Sequence, residues 1–190
     1  MDMAPGCPVL FNRGEIAAAV SRLAAAIRED YRDKQPLLVG VLKGSFIFLA
    51  DLVRQLNIPL EVEFIRLSSY GAASRSSGRV RLVRGLAGPV KGREVLVVED
   101  IVDTGLTTAF ILDYLGRKSP ASLRLCALMD KPAPRRVPVK VDYLGFTVPD
   151  KFLVGYGLDW GERFRYLPDI CYLETDGNIG QPGIGQTKLK

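Results

Sequence analysis

Residues 95–108 read VLVVEDIVDTGLTT, and the fold follows from how this stretch is read. The apolar run VLVV ends in two acids, Glu99 and Asp100, and a third acid, Asp103, opens a Thr-Gly turn with two more threonines behind it. Continuous apolar residues are what a parallel strand covered on both faces requires. Acids and then small residues just past such a strand put polar groups at its carboxyl end, where open α/β sheets hold their ligands. Carboxylates accept hydrogen bonds from hydroxyls or hold the water shell of a hard cation. A Gly-containing loop that opens a helix offers amide N–H groups to an anion. The stretch therefore predicts a ligand that carries both a sugar and a phosphate.

The flanking chain supplies the rest of an α/β fold. Asn12 and Glu15 have capping-box spacing, and Ile16, Val20, Leu23, Ala24, Ile27 and Tyr31 follow at helical spacing up to Pro36. LLVGVL (37–42) reads as a buried strand, Lys43-Gly44-Ser45 as a tight turn and FIFLADLVRQL (46–56) as a helix. Strands are predicted at 60–67, 79–83, 95–98, 122–129, 143–146 and 153–156, and a helix at 108–115. Strands alternating with helices give a mainly parallel sheet. Right-handed crossovers then bring Lys43, Glu99 to Thr108, Asp130 and Lys131 to one edge of it.

Composition narrows the chemistry. At 190 residues with 47% hydrophobic content, the chain has the makings of a sizeable core. No apolar run approaches membrane-spanning length, and the first residues, MDMAPGCPVLF, lack a signal-peptide pattern, so a cytoplasmic protein is expected. The net charge of +5 is spread out, without the dense basic block of a nucleic-acid tail, and reads equally as a solvated basic surface or as a field that draws in a polyanionic small substrate. Cys7, Cys126 and Cys171 are scattered and form no CxxC pair. With no histidine anywhere, Ser-His-Asp, Cys-His and HExxH chemistry is excluded, and any general base is a carboxylate, Lys, Tyr or Cys. No GxxxxGK[ST] loop is present, and the glycine-rich 155–161 fails the dinucleotide fingerprint on spacing.

VVEDIVDTGLT resembles the phosphoribosyl-diphosphate (PRPP) motif of the type I phosphoribosyltransferases. Within that family VLKGSFIFLADL (41–52), EFIRLSSYG (63–71), DKPAPRRV (130–137) and PDKFLVGYGLDWGERFRYLPDI (149–170) resemble the hypoxanthine-guanine enzymes. The resemblance implies one domain over 1–174, with a core near 37–146 and a hood from the N-terminal and 147–174 segments, while residues 175–190, rich in Gly and polar residues with little to bury, read as a flexible tail. It implies Asp103 as general base, and Glu99 and Asp100 as holders of ribose hydroxyls and metal-bound water. Thr104, Gly105, Leu106, Thr107 and Thr108 become the 5′-phosphate cradle. Lys43, Gly44 and Arg165 meet pyrophosphate. Lys131, Phe152, Leu153 and Asp159 surround the purine, and Asp159 also ligates Mg²⁺ directly. Ser68, Ser69 and Tyr70 begin a lid that keeps water from the reacting ribose.

The implied reaction joins PRPP to a 6-oxopurine, hypoxanthine or guanine, in purine salvage, with Mg²⁺ as cofactor. A homodimer or homotetramer is implied, with no nucleic-acid or membrane partner. Lys131 read alone is a solvated side chain before Pro132. In the implied role it donates only, so it suits a 6-oxo group or N7 and leaves adenine's amino group unmatched. Two other readings stand beside this one: a xanthine-preferring enzyme, and a non-catalytic nucleotide- or RNA-binding regulator on the same fold.

Overall fold

The computed structural model describes residues 7–69 and 80–173. Along the chain run β1 (Val9–Phe11), α1 (Arg13–Asp30), β2 (Leu37–Leu42), α2 (Phe46–Leu56), β3 (Glu61–Ser69) and β4 (Val80–Arg84). Then come β5 (Glu94–Val102), α3 (Leu106–Gly116), β6 (Ser122–Asp130), β7 (Tyr143–Thr147), β8 (Phe152–Val154) and β9 (Ile170–Leu173). Six strands form the main sheet in the order β4-β3-β2-β5-β6-β7. Only the β3–β4 pairing is antiparallel.

The apolar strands are covered on both faces, as their composition requires. Leu38, Leu96, Val98, Cys126 and Leu128 pack toward α1 and α2. Their neighbours Leu37, Val39, Val95, Val97, Leu125 and Ala127 belong to a second cluster that includes Ile111 and Leu115 of α3. Removing a side chain from either layer, as in Leu96→Ala, costs about 2–5 kcal/mol by lost burial and the cavity left behind. α1 begins where the capping box predicts. The Asn12 side chain accepts from the amides of Gly14 at 2.9 Å and Glu15 at 3.1 Å, and Glu15 accepts from the Asn12 amide at 2.8 Å.

Connections leave β2 and β5 in opposite directions. The chain passes from β2 through α2 to β3 on one side, and from β5 through α3 to β6 on the other. The strand order therefore reverses between β2 and β5, which opens a crevice at their carboxyl ends. Three short strands, β1, β9 and β8, make a separate antiparallel sheet. The Arg13 amide donates to Asp169 at 2.7 Å, which ties the start of α1 to this small sheet.

Several boundaries differ from the sequence expectation. β5 continues through Glu99 and Asp100 to Val102, because it pairs with β6 out to Val102↔Asp130. α3 starts at Leu106, two residues before the predicted Thr108, with left-handed Gly105 as its cap. The strand predicted at 153–156 is β8, which stops at Val154, where left-handed Gly155 and Tyr156 turn the chain. Tyr70 and the tail at 175–190 lie outside the described residues. Among the described residues no helix is long and apolar enough to cross a membrane.

Candidate active site

Two adjoining cavities occupy the crevice. The larger, about 370 Å³, is lined by Lys43, Gly44, Asp100, Asp103, Lys131, Phe152, Leu153, Asp159 and Arg165, all expected from the sequence. It also meets Arg66, Leu67, Ile101, Leu158 and Glu162, which were not. The smaller, about 120 Å³, is lined by Glu99, Asp100, Asp103, Thr104, Gly105, Thr107 and Thr108 together with Val41 and Ile101. Asp100, Ile101 and Asp103 border both. Leu106 lines neither, and its amide stands 3.5 Å from the Thr104 hydroxyl.

The acids that close β5 differ in setting. Glu99 is 3% exposed, and its Oε2 accepts from the Thr108 hydroxyl at 2.8 Å while Oε1 has no partner. Thr108, expected in the phosphate cradle, thus spends its hydroxyl on orienting Glu99. Burial pushes the Glu99 carboxyl up to about 8, with Thr108 opposing and Asp100 adding to the rise. Burial also raises Asp100 to about 6, against its own amide, that of Ile101 and the Arg165 charge. Burial disfavours the ionised form of both carboxyls, and a cation or a ring of hydroxyls bound here would favour it again.

The raised pKa of Glu99 has a consequence for stability. An unfolded glutamate ionises near 4.5, whereas the folded one keeps its proton to about 8. The folded state binds the proton more tightly, so its stability is lost progressively as pH rises from 4.5 through about 8. Glu99→Gln keeps an acceptor for Thr108 and removes that penalty. Its unfolding midpoint should exceed that of the unliganded wild type by roughly 4 °C or more at pH 8.5, with a small gap at pH 5. Thermal melts at the two pH values check this, and an equal gap at both would contradict it.

The loop after β5 is gripped from behind. Gly105 has φ +81°, and a Cβ there would stand 2.3 Å from the Val137 carbonyl oxygen. The amides of Arg136 and Val137 donate to the Thr104 carbonyl at 2.9 and 3.1 Å. The Arg135 guanidinium donates to the Asp103 carbonyl at 2.8 Å and to the Val102 carbonyl at 3.2 Å, and pairs with Asp130. Arg135 is a positioning residue that sequence reading missed, since it stands in a proline-broken stretch that looked like plain connection.

Asp103 itself keeps Oδ1 buried and unpartnered, with Oδ2 3.6 Å from the Lys131 Nζ. Lys131 is only 8% exposed and is no solvated side chain. Its ammonium donates to the Lys151 carbonyl at 3.1 Å and lies 3.7 Å from Asp150. Phe152 projects into the cavity with 44% of its surface exposed, while Leu153 is buried.

On the opposite wall, the Gly44 backbone meets Asp100 so closely that a Cβ on Gly44 would lie 1.7 Å from its Oδ2. The peptide bond between Leu42 and Lys43 is cis. Lys43 Nζ is 2.8 Å from Glu162. Arg165 donates to the Gly157 carbonyl at 2.7 Å and pairs with Asp159 at 2.6 Å, and its Nε has no partner. The second Asp159 oxygen accepts from the Glu162 amide at 2.8 Å.

Among the described residues, four buried side-chain polar atoms lack partners, and three of them border these cavities: Glu99 Oε1, Asp103 Oδ1 and Arg165 Nε. Unsatisfied buried groups are costly and rare, so three around one crevice mark where a polar ligand completes the structure. No group of three or more His, Cys, Asp or Glu gathers among the described residues as a ready metal cage. A hard cation here would draw most of its oxygens from the ligand and from water, with Asp100, Glu99 or Asp159 supplying the remainder.

The phosphoribosyl transferase domain family matches residues 10–160. The chain is 48% identical over 167 residues to a hypoxanthine-guanine phosphoribosyltransferase of Aquifex aeolicus, covering 87% of this chain and 94% of that one. It is 46% identical over 162 residues to a hypoxanthine phosphoribosyltransferase of Haemophilus influenzae, covering 84% and 90%. A crystal structure of a hypoxanthine-guanine phosphoribosyltransferase from Bacillus anthracis superposes with a TM-score of 0.83 at 38% identity, over 87% of this chain and 98% of that one.

Proposed function

This chain belongs to the phosphoribosyl transferase domain family, and from that membership we infer that it is a hypoxanthine and guanine phosphoribosyltransferase of purine salvage. It transfers the 5-phosphoribosyl group of PRPP to the base and releases pyrophosphate. The observation that carries this reading is the crevice bordered by Glu99 Oε1, Asp103 Oδ1 and Arg165 Nε, with a buried Lys131 beside the proposed base.

The roles of individual residues follow as proposals. The purine ring nitrogen attacks C1 of the ribose, the bond from C1 to the pyrophosphate oxygen breaks, and Asp103 Oδ1 takes the ring proton. A carboxylate suits this task in a chain without histidine. Lys131, fixed by Asp103, Asp150 and the Lys151 carbonyl, donates to the 6-oxo group or N7. Phe152 stacks on the base, and the Leu153 backbone meets its pyrimidine edge. Asp159 also belongs to the proposed purine pocket. Thr104, Gly105, Leu106, Thr107 and Thr108 hold the 5′-phosphate, Thr108 by its amide because its hydroxyl is bonded to Glu99. Lys43, Gly44 and Arg165 meet the pyrophosphate.

Mg²⁺ is the proposed cofactor, with Asp159 as direct ligand and Glu99 and Asp100 holding its waters. When bound, it supplies charge neutralisation on the pyrophosphate oxygens. Asp159 accepts from Arg165 and from the Glu162 amide, which leaves a lone pair on each of its oxygens for a cation. Ser68, Ser69 and Tyr70 are proposed to begin a lid. Deleting residues 74–78 should raise PRPP hydrolysis relative to transfer, and an unchanged ratio would remove that role. A cytoplasmic homodimer or homotetramer is the proposed setting, the assembly being measurable by light scattering.

Absorbance assays with PRPP, Mg²⁺ and each base in turn test the specificity. Hypoxanthine and guanine should turn over, and adenine should fall behind by about 10²-fold or more, because it leaves Lys131 facing an amino donor. Xanthine as the best substrate would replace this reading with the xanthine-preferring one.

A further inference from the structure

Two charged residues of the larger cavity, Arg66 and Glu162, have no part in the roles above. Glu162 reaches Lys43 Nζ with Oε1 at 2.8 Å and Arg165 with Oε2 at 3.4 Å. It thus bridges the two cations assigned to pyrophosphate. It stands in the hairpin closed by reciprocal hydrogen bonds between Trp160 and Arg163, both 3.2 Å. Gly161 and Glu162 both have positive φ there, +61° and +65°. That backbone is unfavourable for a glutamate, and it aims the side chain across the cavity mouth toward Lys43. Glu162 and Asp159 together pair with both Lys43 and Arg165. A pyrophosphate anion entering here meets cations that are already paired.

We propose that Glu162 is an internal competitor of pyrophosphate: its carboxylate occupies the Lys43–Arg165 grip in the empty enzyme and must leave it when the anion binds. It keeps both cations in place for the incoming ligand, and it returns to them as pyrophosphate departs. The inference rests on the pyrophosphate assignment of Lys43 and Arg165. It adds a residue whose charge lowers affinity for the leaving group without touching the purine or 5′-phosphate. The ion pairs are partly exposed, with 45% of the Lys43 and 64% of the Glu162 side chain in contact with solvent, so the effect is modest and weakens with salt.

Calorimetric titration of the full chain with pyrophosphate and Mg²⁺, and separately with IMP, tests this at low ionic strength. Glu162→Gln should bind pyrophosphate roughly threefold to tenfold more tightly than wild type, with IMP affinity changed by less than about twofold. Glu162→Gly, which suits the positive φ, should shift in the same direction. Pyrophosphate affinity that is unchanged or weaker in both variants, with normal wild-type binding, overturns the inference alone. Wild type that binds neither IMP nor pyrophosphate overturns the functional reading and this inference with it.

Discussion

Asp103→Asn is expected to lower kcat for nucleotide formation by a factor on the order of 10²–10⁴, the range for loss of a positioned general base. The substitution preserves shape, so Lys131 and the Arg135 contact to the Asp103 carbonyl keep their geometry. What disappears is the acceptor at Oδ1, which is buried and unpartnered without ligand. Because the change touches proton transfer, KM for PRPP should move much less than kcat. Steady-state kinetics with hypoxanthine at saturating PRPP would show the split. A kcat within about threefold of wild type would remove Asp103 from the role.

Gly44→Ala is expected to be as damaging by a different route. A Cβ at this position would lie 1.7 Å from Asp100 Oδ2 and 2.6 Å from its Cγ. Either Asp100 rotates away or the turn between β2 and α2 moves, and that turn carries Lys43. Displacement of a positioned group by about 1 Å costs on the order of 10²-fold in rate, so kcat/KM for PRPP should fall at least that far. The base site lies across the cavity, so IMP should retain more of its affinity than pyrophosphate does. A kcat/KM within about fivefold of wild type would mean that the close approach of Gly44 and Asp100 is not needed.

The parts of this molecule that were legible in the sequence are those governed by local pattern. The capping box at Asn12 and Glu15 marked the start of α1, and the tight turn at 43–45 marked the start of α2. The buried strands β2 and β5 announced themselves as apolar runs. Convergence of Lys43, Asp103 and Lys131 on one cavity followed from crossover handedness alone, and the structure brings all three to its lining. The small sheet was harder. β1 and β9 are three and four residues long, too short for any period to register, and they pair across most of the chain.

Charged residues were the other blind spot. Nothing local says that Lys131 is buried, because three carboxylate or carbonyl partners from distant positions make that burial tolerable. Arg135 stands among prolines and looks like surface until the Asp103 loop is seen resting on it. Glu162 stands among Arg163 and Arg165, and only the left-handed turn decides that it points at Lys43.

Parallel assay of nucleotide and pyrophosphate on the purified protein tests the central claim most directly. With PRPP, Mg²⁺ and hypoxanthine, one pyrophosphate should appear for each IMP formed, and leaving out the base should bring pyrophosphate release close to background. Salt-sensitive RNA binding with neither product formed would contradict the account and favour a non-catalytic regulator on this fold.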